Sequence, residues 1–179
     1  CGDIMLDNSM YFGKKVNGES QLLTSLKLEF NKYILCTIHR DSNTDIDNNL
    51  IGILEALLSC QEETHMKIVL PLHPRTKAKI EQLRDQNFVD RFIKNPNIII
   101  LPPAGFNDII VLEKNTKLII TDSGGLQKEA YFFKKPCVIL REQTEWVEIV
   151  ENGNAILTGA DNSKIKNAIS ILLAKDDFT

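Results

Sequence analysis

The sequence predicts an α/β fold in which a doubly wound, Rossmann-like parallel sheet is covered by helices on both faces. Short apolar runs rich in Ile and Val recur along the chain without alternating polar residues, which is typical of strands buried on both sides. Segments with helical periodicity separate these runs, and right-handed crossovers then produce the doubly wound arrangement. The 179 residues suffice for one globular domain with a substantial core.

The first third of the chain contains two predicted strands. After a mixed opening segment, a cluster of turn-forming residues lies at 17–20, and apolar residues at helical spacing predict a helix over residues 21–30. The run YILCTI at residues 33–38 is the first predicted strand. A helix over residues 50–59 follows, and MKIVLPL at residues 66–72 is the second strand.

The remaining elements repeat the same alternation. A helix over residues 76–86 precedes the strand NIIIL at 97–101, and a helix over 106–115 precedes the strand KLIIT at 117–121. The last predicted elements are a helix at 126–133, the strands PCVIL at 136–140 and NAILTG at 154–159, and a closing helix at 163–174.

The charge balance restricts the class of ligand. The formal net charge is −3, and the sequence has no run of Lys and Arg. Proteins that bind nucleic acids or anionic membranes present a basic face, so we expect neither partner. No apolar stretch is long enough to span a bilayer and no signal peptide is present, so we expect a cytoplasmic protein. The chain begins with Cys rather than Met, which is typical of a fragment or a trimmed chain.

The cysteines and histidines do not form a metal site. Cys1, Cys36, Cys60 and Cys137 lack the spacing of metal ligands, and no HExxH pattern occurs. Cys36 and Cys137 lie within apolar strands, where a free Cys is a small hydrophobic residue. We expect reduced cysteines, with a disulfide as the less favoured alternative, and neither a metal nor a cofactor.

Polar and charged residues follow the predicted strands. Because ligands of doubly wound sheets bind beyond the carboxyl ends of the strands, the residues at these positions are candidates for a binding site. They are His39 and Arg40, His73 to Arg75, Pro102 and Pro103, Asp122 to Gly125, and Arg141 to Glu145.

Ser123, Gly124 and Gly125 stand between a strand and a helix. Glycines let the backbone approach a ligand closely, and the free N–H groups at a helix start favour a diphosphate. The alternative is a simple helix cap, but the neighbouring cationic residues favour binding. Glu129 lies about one turn into the helix, where its carboxylate could bind ribose hydroxyls or be solvated, and Lys128 is interpreted as a surface residue.

The cationic candidates have alternative interpretations as well. His39 and Arg40 could bind anionic oxygens or serve acid–base chemistry, and a loop-ordering role is the alternative for His39. His73 precedes a proline, so a structural turn role competes equally. Arg141 is a second phosphate-binding candidate, with an ion pair to Glu142 or Glu145 as the alternative. Trp146 is interpreted as a packing residue.

Five motifs together resemble the non-hydrolysing UDP-N-acetylglucosamine 2-epimerases. They are TIHR at 37–40, PLHPRT at 71–76, LPPAGF at 101–106, TDSGGLQKEA at 121–130 and REQTEWVE at 141–148. They occur in the order and approximate spacing of that family, and GDIMLD at 2–7 resembles the segment that leaves the family's first domain. The resemblance covers the chain from about Tyr33 to Ala174.

The resemblance implies the second half of a glycosyltransferase-B-like enzyme with two Rossmann-like domains and an active site between them. Residues 1–32 would then be an interdomain segment with a leading helix, and residues 33–179 the UDP-binding domain. It implies that His39 is catalytic, that Ser123, Gly124 and Gly125 bind the diphosphate, that Glu129 binds the ribose and that Arg141 lies near the nucleotide. Arg40 and His73 would match a second, regulatory UDP-sugar site.

The implied activity is inversion of C2 of a UDP-activated N-acetylamino sugar, UDP-GlcNAc to UDP-ManNAc, by elimination and re-addition of UDP. The implied partners are the UDP-sugar, a first domain of the same enzyme and a second copy in a homodimer, and the implied process is cell-surface polysaccharide biosynthesis. Ser42 stands where the family's usual HRxEN motif has Glu, and this departure concerns the contacts of the regulatory site more than the binding of UDP. The TEW form at 144–146 is similar to relatives that act on UDP-2,3-diacetamido sugar acids. The sequence is also compatible with a glycosyltransferase of the same two-domain fold and with a non-catalytic UDP-sugar-binding module.

Overall fold

A sheet of six parallel strands forms the centre of the protein, in the order β3-β2-β1-β4-β5-β6. The computed structural model describes residues 2–15 and 21–175, so Cys1 and the predicted turn at 17–20 lie outside the described residues. The strands are β1 Tyr33–Thr37, β2 Lys67–Pro71, β3 Ile98–Leu101, β4 Leu118–Thr121, β5 Cys137–Ile139 and β6 Ala155–Leu157. The order reverses between β1 and β4, whose registers pair Ile34 with Leu118 and Thr37 with Thr121. The predicted doubly wound α/β fold is confirmed.

Ten helices are described around the sheet. They are α1 Ile4–Lys15, α2 Gln21–Ser25, α3 Asp41–Thr44, α4 Asp47–Thr64, α5 Pro74–Glu81, α6 Gln86–Ile93, α7 Phe106–Asn115, α8 Gly124–Phe132, α9 Val147–Glu151 and α10 Asn162–Leu173. Successive strand residues point to opposite faces. Ile34 and Cys36 therefore join the core beneath α4 and α10, whereas Tyr33 and Leu35 join the core beneath α7 and α8.

Three predicted helices differ from the observed ones by several residues at their C-terminal ends. The helix predicted over 50–59 is longer than expected, since α4 spans Asp47–Thr64, and the other two end early. The helix predicted over 21–30 ends at Ser25, and Lys27 and Asn31 adopt positive φ values of 52° and 56°. The buried Leu23 and Leu28 are five residues apart, a spacing that does not suit one helix face. The helix predicted over 76–86 ends at Glu81, because Asp85 caps a separate helix, α6, by accepting a hydrogen bond from the Phe88 N–H at 3.0 Å.

Helix α1 is an element that the periodicity of the sequence did not predict. It runs along α8 in the same direction. Ser9 contacts Glu129, and a Cβ on Gly13 would lie 2.9 Å from the ring of Phe133. Gly13 permits this close approach, and Asp3, just before α1, forms an ion pair with Lys128. Residues 2–15 thus pack directly on the sheet-covering helices.

Cys36, Cys60 and Cys137 are free and buried, as expected for reduced thiols in an apolar core. Burial raises the pKa of the Cys60 thiol to about 11, so this thiol is unreactive near neutral pH. Within the part of the chain that the structure describes, no helix combines the length and apolar character that crossing a bilayer requires.

Candidate functional site

Asp122 is the centre of a hydrogen-bonded cluster at the carboxyl ends of β1 and β4. It follows β4 directly and is fully buried. Its carboxylate accepts hydrogen bonds from the backbone N–H groups of His39 at 3.1 Å and Arg40 at 3.0 Å, and from the Asn43 side-chain amide at 3.1 Å. The same amide nitrogen donates to the Leu140 carbonyl at 2.9 Å. Asp122 therefore joins the loop after β1 to the ends of β4 and β5.

The His39 side chain is fixed by the same carboxylate. Its Nδ1 lies 3.0 Å from Oδ1 of Asp122, while 53% of the side chain remains exposed. The hydrogen bond to Asp122 raises the pKa of His39, against the opposing effects of partial burial and of the charge on Arg40. Burial opposes ionisation of Asp122, but the hydrogen bonds from His39 and from the Arg40 N–H outweigh it and lower the pKa of Asp122. Because Nδ1 is engaged, Nε2 is the ring atom available to a ligand.

The start of α8 lies beside this cluster. Ser123 is the N-cap residue, and its hydroxyl accepts a hydrogen bond from the Leu126 N–H at 3.5 Å, so the capping role considered from the sequence is observed. The first N–H groups of a helix have no partner within the helix, and they point outward with the positive end of the helix dipole. The Ser123 N–H donates to Oγ1 of Thr121 at 3.0 Å, so an anion at this position would meet the N–H groups of Gly124 and Gly125.

Arg141 reaches the start of α8 from the loop after β5. A Cβ on Gly124 would lie 3.8 Å from Nη1 of Arg141 and 3.6 Å from Oε2 of Glu145. The Arg141 guanidinium forms two hydrogen bonds of 2.7 Å to the Glu145 carboxylate, which is the ion-pair alternative considered from the sequence. The hydrogen bond to Arg141 lowers the pKa of Glu145 to about 2. The side chain of Arg141 is 11% exposed, so its guanidinium is held in place next to Gly124.

Trp146 and Lys128 form one edge of this region. The indole Nε1 donates to the Gly124 carbonyl at 2.9 Å, and the Lys128 ammonium lies 4.4 Å from the centroid of the Trp146 ring. The interpretation of Lys128 as a surface residue was wrong: its side chain is 16% exposed because Asp3 and Trp146 cover it. Trp146 packs against the core as predicted and in addition orients the backbone of Gly124.

Glu129 is buried rather than solvated, which rules out the surface alternative. It is 6% exposed, and its Oε1 accepts a hydrogen bond from the Ser9 hydroxyl at 3.1 Å. Gly125 faces the same helix, because its Cβ would lie 3.1 Å from Cε of Met5. Gly125 and Glu129, four residues apart on α8, therefore both face α1. Burial raises the pKa of Glu129, and the Ser9 hydrogen bond partly offsets this effect.

His73 lies in a different environment from His39. His73 caps α5, where its Nδ1 accepts a hydrogen bond from the Arg75 N–H at 3.2 Å, so a structural role for this exposed side chain is observed. Arg75 in turn forms ion pairs with Asp41 at 3.0 Å and with Asp45 at 2.6 Å. The structure thus brings His39 and Arg141 together at one edge, whereas His73 is engaged by its own helix.

A cavity of about 510 Å³ opens beside the cluster, between the loops after β1, β5 and β6. The cavity lining includes Arg40 and Ser42 from the segment after β1, Arg141 and Gln143 from the segment after β5, and Asp161 from the segment after β6. No group of three or more His, Cys, Asp or Glu side chains suited to a metal ion occurs among residues 2–15 and 21–175. The site therefore combines two arginines, a histidine and a helix start next to a polar cavity.

The sequence analysis did not assign roles to Asp122 and Asn43. Asp122 stands directly after an apolar strand and before Ser123, and this position is the signal that could have identified it. Asn43 carries no comparable local signal, because its role depends on the distant Asp122 and Leu140.

Known proteins resemble this chain over nearly its whole length. A family model described as UDP-N-acetylglucosamine 2-epimerase matches residues 1–179. A UDP-N-acetylglucosamine 2-epimerase homolog of Methanococcus maripaludis is 42% identical over 94% of this chain and 46% of its own length. The UDP-2,3-diacetamido-2,3-dideoxy-D-glucuronate 2-epimerase of Pseudomonas aeruginosa is 38% identical over 97% of this chain and 45% of its own length.

A solved structure is similar as well. The Methanocaldococcus jannaschii UDP-GlcNAc 2-epimerase, in complex with UDP-GlcNAc and UDP, superposes with a TM-score of 0.86 at 34% identity, covering 98% of this chain and 48% of that one. The chain spans about half the length of the curated relatives it matches.

Proposed function

The chain belongs to the UDP-N-acetylglucosamine 2-epimerase family, and from this premise we propose that it forms the UDP-binding half of a two-domain enzyme that inverts C2 of a UDP-N-acetylamino sugar. The reaction would convert UDP-GlcNAc to UDP-ManNAc by elimination and re-addition of UDP. The observation that carries the proposal is the placement of His39 and Arg141 at the start of α8, where Gly124 and Gly125 follow the capping Ser123. Residues 33–179 would be the UDP-binding domain and residues 1–32 the interdomain segment.

The diphosphate is assigned to the N-terminus of α8. Gly124 and Gly125 would supply N–H groups in addition to the helix dipole, both of which favour a polyanion. The Ser123 N–H donates to the Thr121 hydroxyl at 3.0 Å, so Ser123 would contact the diphosphate through its side-chain hydroxyl. Gly124 has no side chain to fill the space beside Arg141, so a phosphate oxygen can approach the backbone there. The guanidinium of Arg141 would exchange the Glu145 carboxylate for the phosphate, since both present oxygens to its planar set of donors.

His39 is assigned to the leaving group. In the elimination, the C2 proton passes to a base, its electron pair forms the C1=C2 bond, and the C1–O bond breaks with its pair on the β-phosphate. A protonated His39 would stabilise this charge more in the transition state than in the ground state. Asp122 favours the protonated form because it raises the pKa of His39. The base for C2 would come from the first domain across the cleft.

The sugar could instead be a UDP-2,3-diacetamido sugar acid. This second candidate is favoured by the similarity to the P. aeruginosa relative and by the TEW sequence at 144–146. NMR separates these two candidate substrates. With the chain joined to a first domain, it measures C2 inversion of UDP-GlcNAc and of UDP-2,3-diacetamido-2,3-dideoxy-glucuronate, and the sugar that is inverted is the substrate. The proposal also includes a homodimer of the full-length enzyme in the cytoplasm, and a regulatory UDP-sugar contact at Arg40 and His73.

The assignment of the ribose to Glu129 is tested by calorimetry with UDP. Replacing Glu129 by Ala removes a charged hydrogen-bond acceptor, and loss of such a bond costs about 1.5–3 kcal/mol, or about ten- to a hundredfold in affinity. The control is Glu62→Ala, an exposed position on α4 at the other face of the sheet, which should leave UDP affinity unchanged. Equal affinities of the wild-type and Glu129→Ala chains would remove Glu129 from the site.

A further inference from the structure

Glu113 is a buried carboxyl group to which the proposed mechanism assigns no role. It lies on α7 with 0% of its surface exposed. Among the described residues, neither of its carboxyl oxygens meets an N–H or O–H donor. An ionised carboxylate in such a place would be strongly unfavourable, because nothing replaces its lost hydration.

The groups that face Glu113 come from neighbouring elements. Helices α7 and α8 pack on each other, and Glu129 of α8 is the hydrogen-bonding neighbour of Glu113. Burial raises the pKa of the Cys137 thiol of β5, and ionisation of the nearby Glu113 would raise it further. Ser9 of α1 contacts Glu129 on its other side. A hydrogen bond between two carboxyl groups requires one proton, so at least one of Glu113 and Glu129 is protonated when they meet.

The surroundings place this proton on Glu113. Glu129 accepts a hydrogen bond from the Ser9 hydroxyl, which favours its ionised form, whereas Glu113 has no such donor among the described residues. Burial raises the pKa of Glu113 well above neutral pH, and the charge of Glu129 raises it further. Burial also raises the pKa of Glu129, but the hydrogen bonds with Ser9 and Glu113 offset part of this rise, and no such offset acts on Glu113.

We propose that Glu113 is a positioning residue for Glu129: it keeps the single proton of the pair, donates a hydrogen bond to the Glu129 carboxylate, and so holds Glu129 ionised and positioned to bind a ribose diol. This inference rests on the proposed function, because the diol belongs to the UDP assigned above. Each carboxylate oxygen has two acceptor sites. Ser9 and Glu113 occupy two of these on Glu129, which leaves two for vicinal hydroxyl groups.

The protonation state is tested without any ligand. Infrared spectra of the 179-residue chain in D₂O at neutral pH are compared between the wild type and Glu113→Gln. We expect the carbonyl band of a protonated carboxyl group in the wild-type spectrum and its loss in the variant. A wild-type spectrum without this band, or a band that persists in Glu113→Gln, would overturn the assignment of the proton.

The positioning role is tested with two nucleotides, UDP and 2′,3′-dideoxy-UDP. Glu113→Gln keeps a neutral donor next to Glu129, so its UDP affinity should stay within about twofold of the wild type. Glu113→Leu removes the donor and should weaken UDP about tenfold, the effect expected for one charge-assisted hydrogen bond, without changing the affinity for dideoxy-UDP.

The outcomes separate this inference from the proposed function. If Glu113→Leu folds and its UDP affinity is unchanged, the positioning role is contradicted. A loss of UDP affinity of about tenfold in Glu113→Gln would contradict the role as well. This second comparison still decides the question if Glu113→Leu does not fold. If the wild-type chain binds neither nucleotide, the proposed function fails and the positioning role fails with it. The infrared band still decides whether the carboxyl pair shares its proton.

Discussion

At the residue scale, Asp122 has the largest structural role in the site. It is buried and ionised, yet the donors around it come from three sources: two backbone N–H groups, the Asn43 amide and the His39 ring. A buried carboxylate is stable only when such donors satisfy it. Because Nδ1 of His39 is engaged by Asp122 and the side chain is half exposed, Nε2 is the ring atom left for a ligand. The catalytic assignment of His39 therefore depends on a residue that does not itself face the cavity.

We expect Asp122→Asn to lower the pKa of His39, because the amide removes the negative charge that stabilises the imidazolium. NMR titration of the His39 ring protons measures this change. The matched control is Asp41→Asn on the same loop, since Asp41 pairs with Arg75 and should leave the His39 titration unchanged. A His39 titration curve that is identical in wild type and Asp122→Asn would contradict the pairing.

The same substitution has a pH-dependent effect on stability. The pKa of His39 is raised and that of Asp122 lowered in the folded chain, so their interaction stabilises the fold above about pH 3.9, the unfolded value of Asp. This contribution is complete below the unfolded His value of about 6.5 and is lost as pH rises through the folded pKa of His39. The loss of stability in Asp122→Asn should therefore be larger at about pH 5.5, where the contribution is complete, than at about pH 8.5, where deprotonation of His39 weakens it.

At the element scale, the packing of α4 determines the position of one wall of the cavity. Gly52 on this helix lies against the turn after β6, where a Cβ would stand 2.7 Å from the backbone oxygen of Ala160. Ala160 and Gly159 line the cavity, and Gly159 has a positive φ of 61° that suits a glycine. Because a backbone oxygen cannot rotate away as a side chain can, α4 and this turn would have to separate to admit even a methyl group.

We expect Gly52→Ala to destabilise the chain. In an open helix the substitution would stabilise by up to about 1 kcal/mol, but overpacking against a fixed backbone costs about 1–3 kcal/mol. Urea unfolding measures the net effect, and Asn48→Ala, an exposed position in the first turn of α4, is the control that should change stability by less than about 0.5 kcal/mol. A Gly52→Ala chain as stable as the wild type would show that the turn yields without cost.

At the scale of the whole molecule, the proposed function gives the chain one side of a reaction site. Its polar cluster lies at the carboxyl edge of a sheet where the strand order reverses, which is the usual ligand position in doubly wound folds. His39, Arg40 and Arg141 lie at this edge, although the whole chain carries a net charge of −3, and carboxylates pair with His39 and Arg141. The chain spans about half the length of its curated relatives, and the proposed mechanism requires a base on the far side of the sugar.

We therefore expect the 179-residue chain to bind UDP but not to invert C2 of UDP-GlcNAc. Proton transfer and exclusion of water both require groups on two sides of the sugar. NMR of the sugar H2 signal in D₂O, with and without the first domain supplied, measures exchange and inversion. Measurable inversion by this chain alone would show that the proposed division of the active site between two domains is wrong.

Local sequence patterns determined the α/β class, the six strands and the edge of the sheet where the candidate site residues lie. Apolar runs such as 33–38 and 117–121 bury both faces whatever their neighbours are, so their strand character can be predicted without the fold. The positions of His39, Ser123 and Arg141 follow from the same patterns, because residues after parallel strands share one edge. Their binding roles remain predictions.

The tertiary structure alone decided the contacts between distant segments. Helix α1 was not predicted, yet Ser9 buries Glu129 across 120 positions of sequence. The pairing of Glu113 with Glu129, and the bonds from the loop after β1 to Asp122, depend on which strands and helices become neighbours. Local periodicity reports only whether a side chain faces the core, whereas the partner it meets there is determined by the strand order and helix packing of the complete fold.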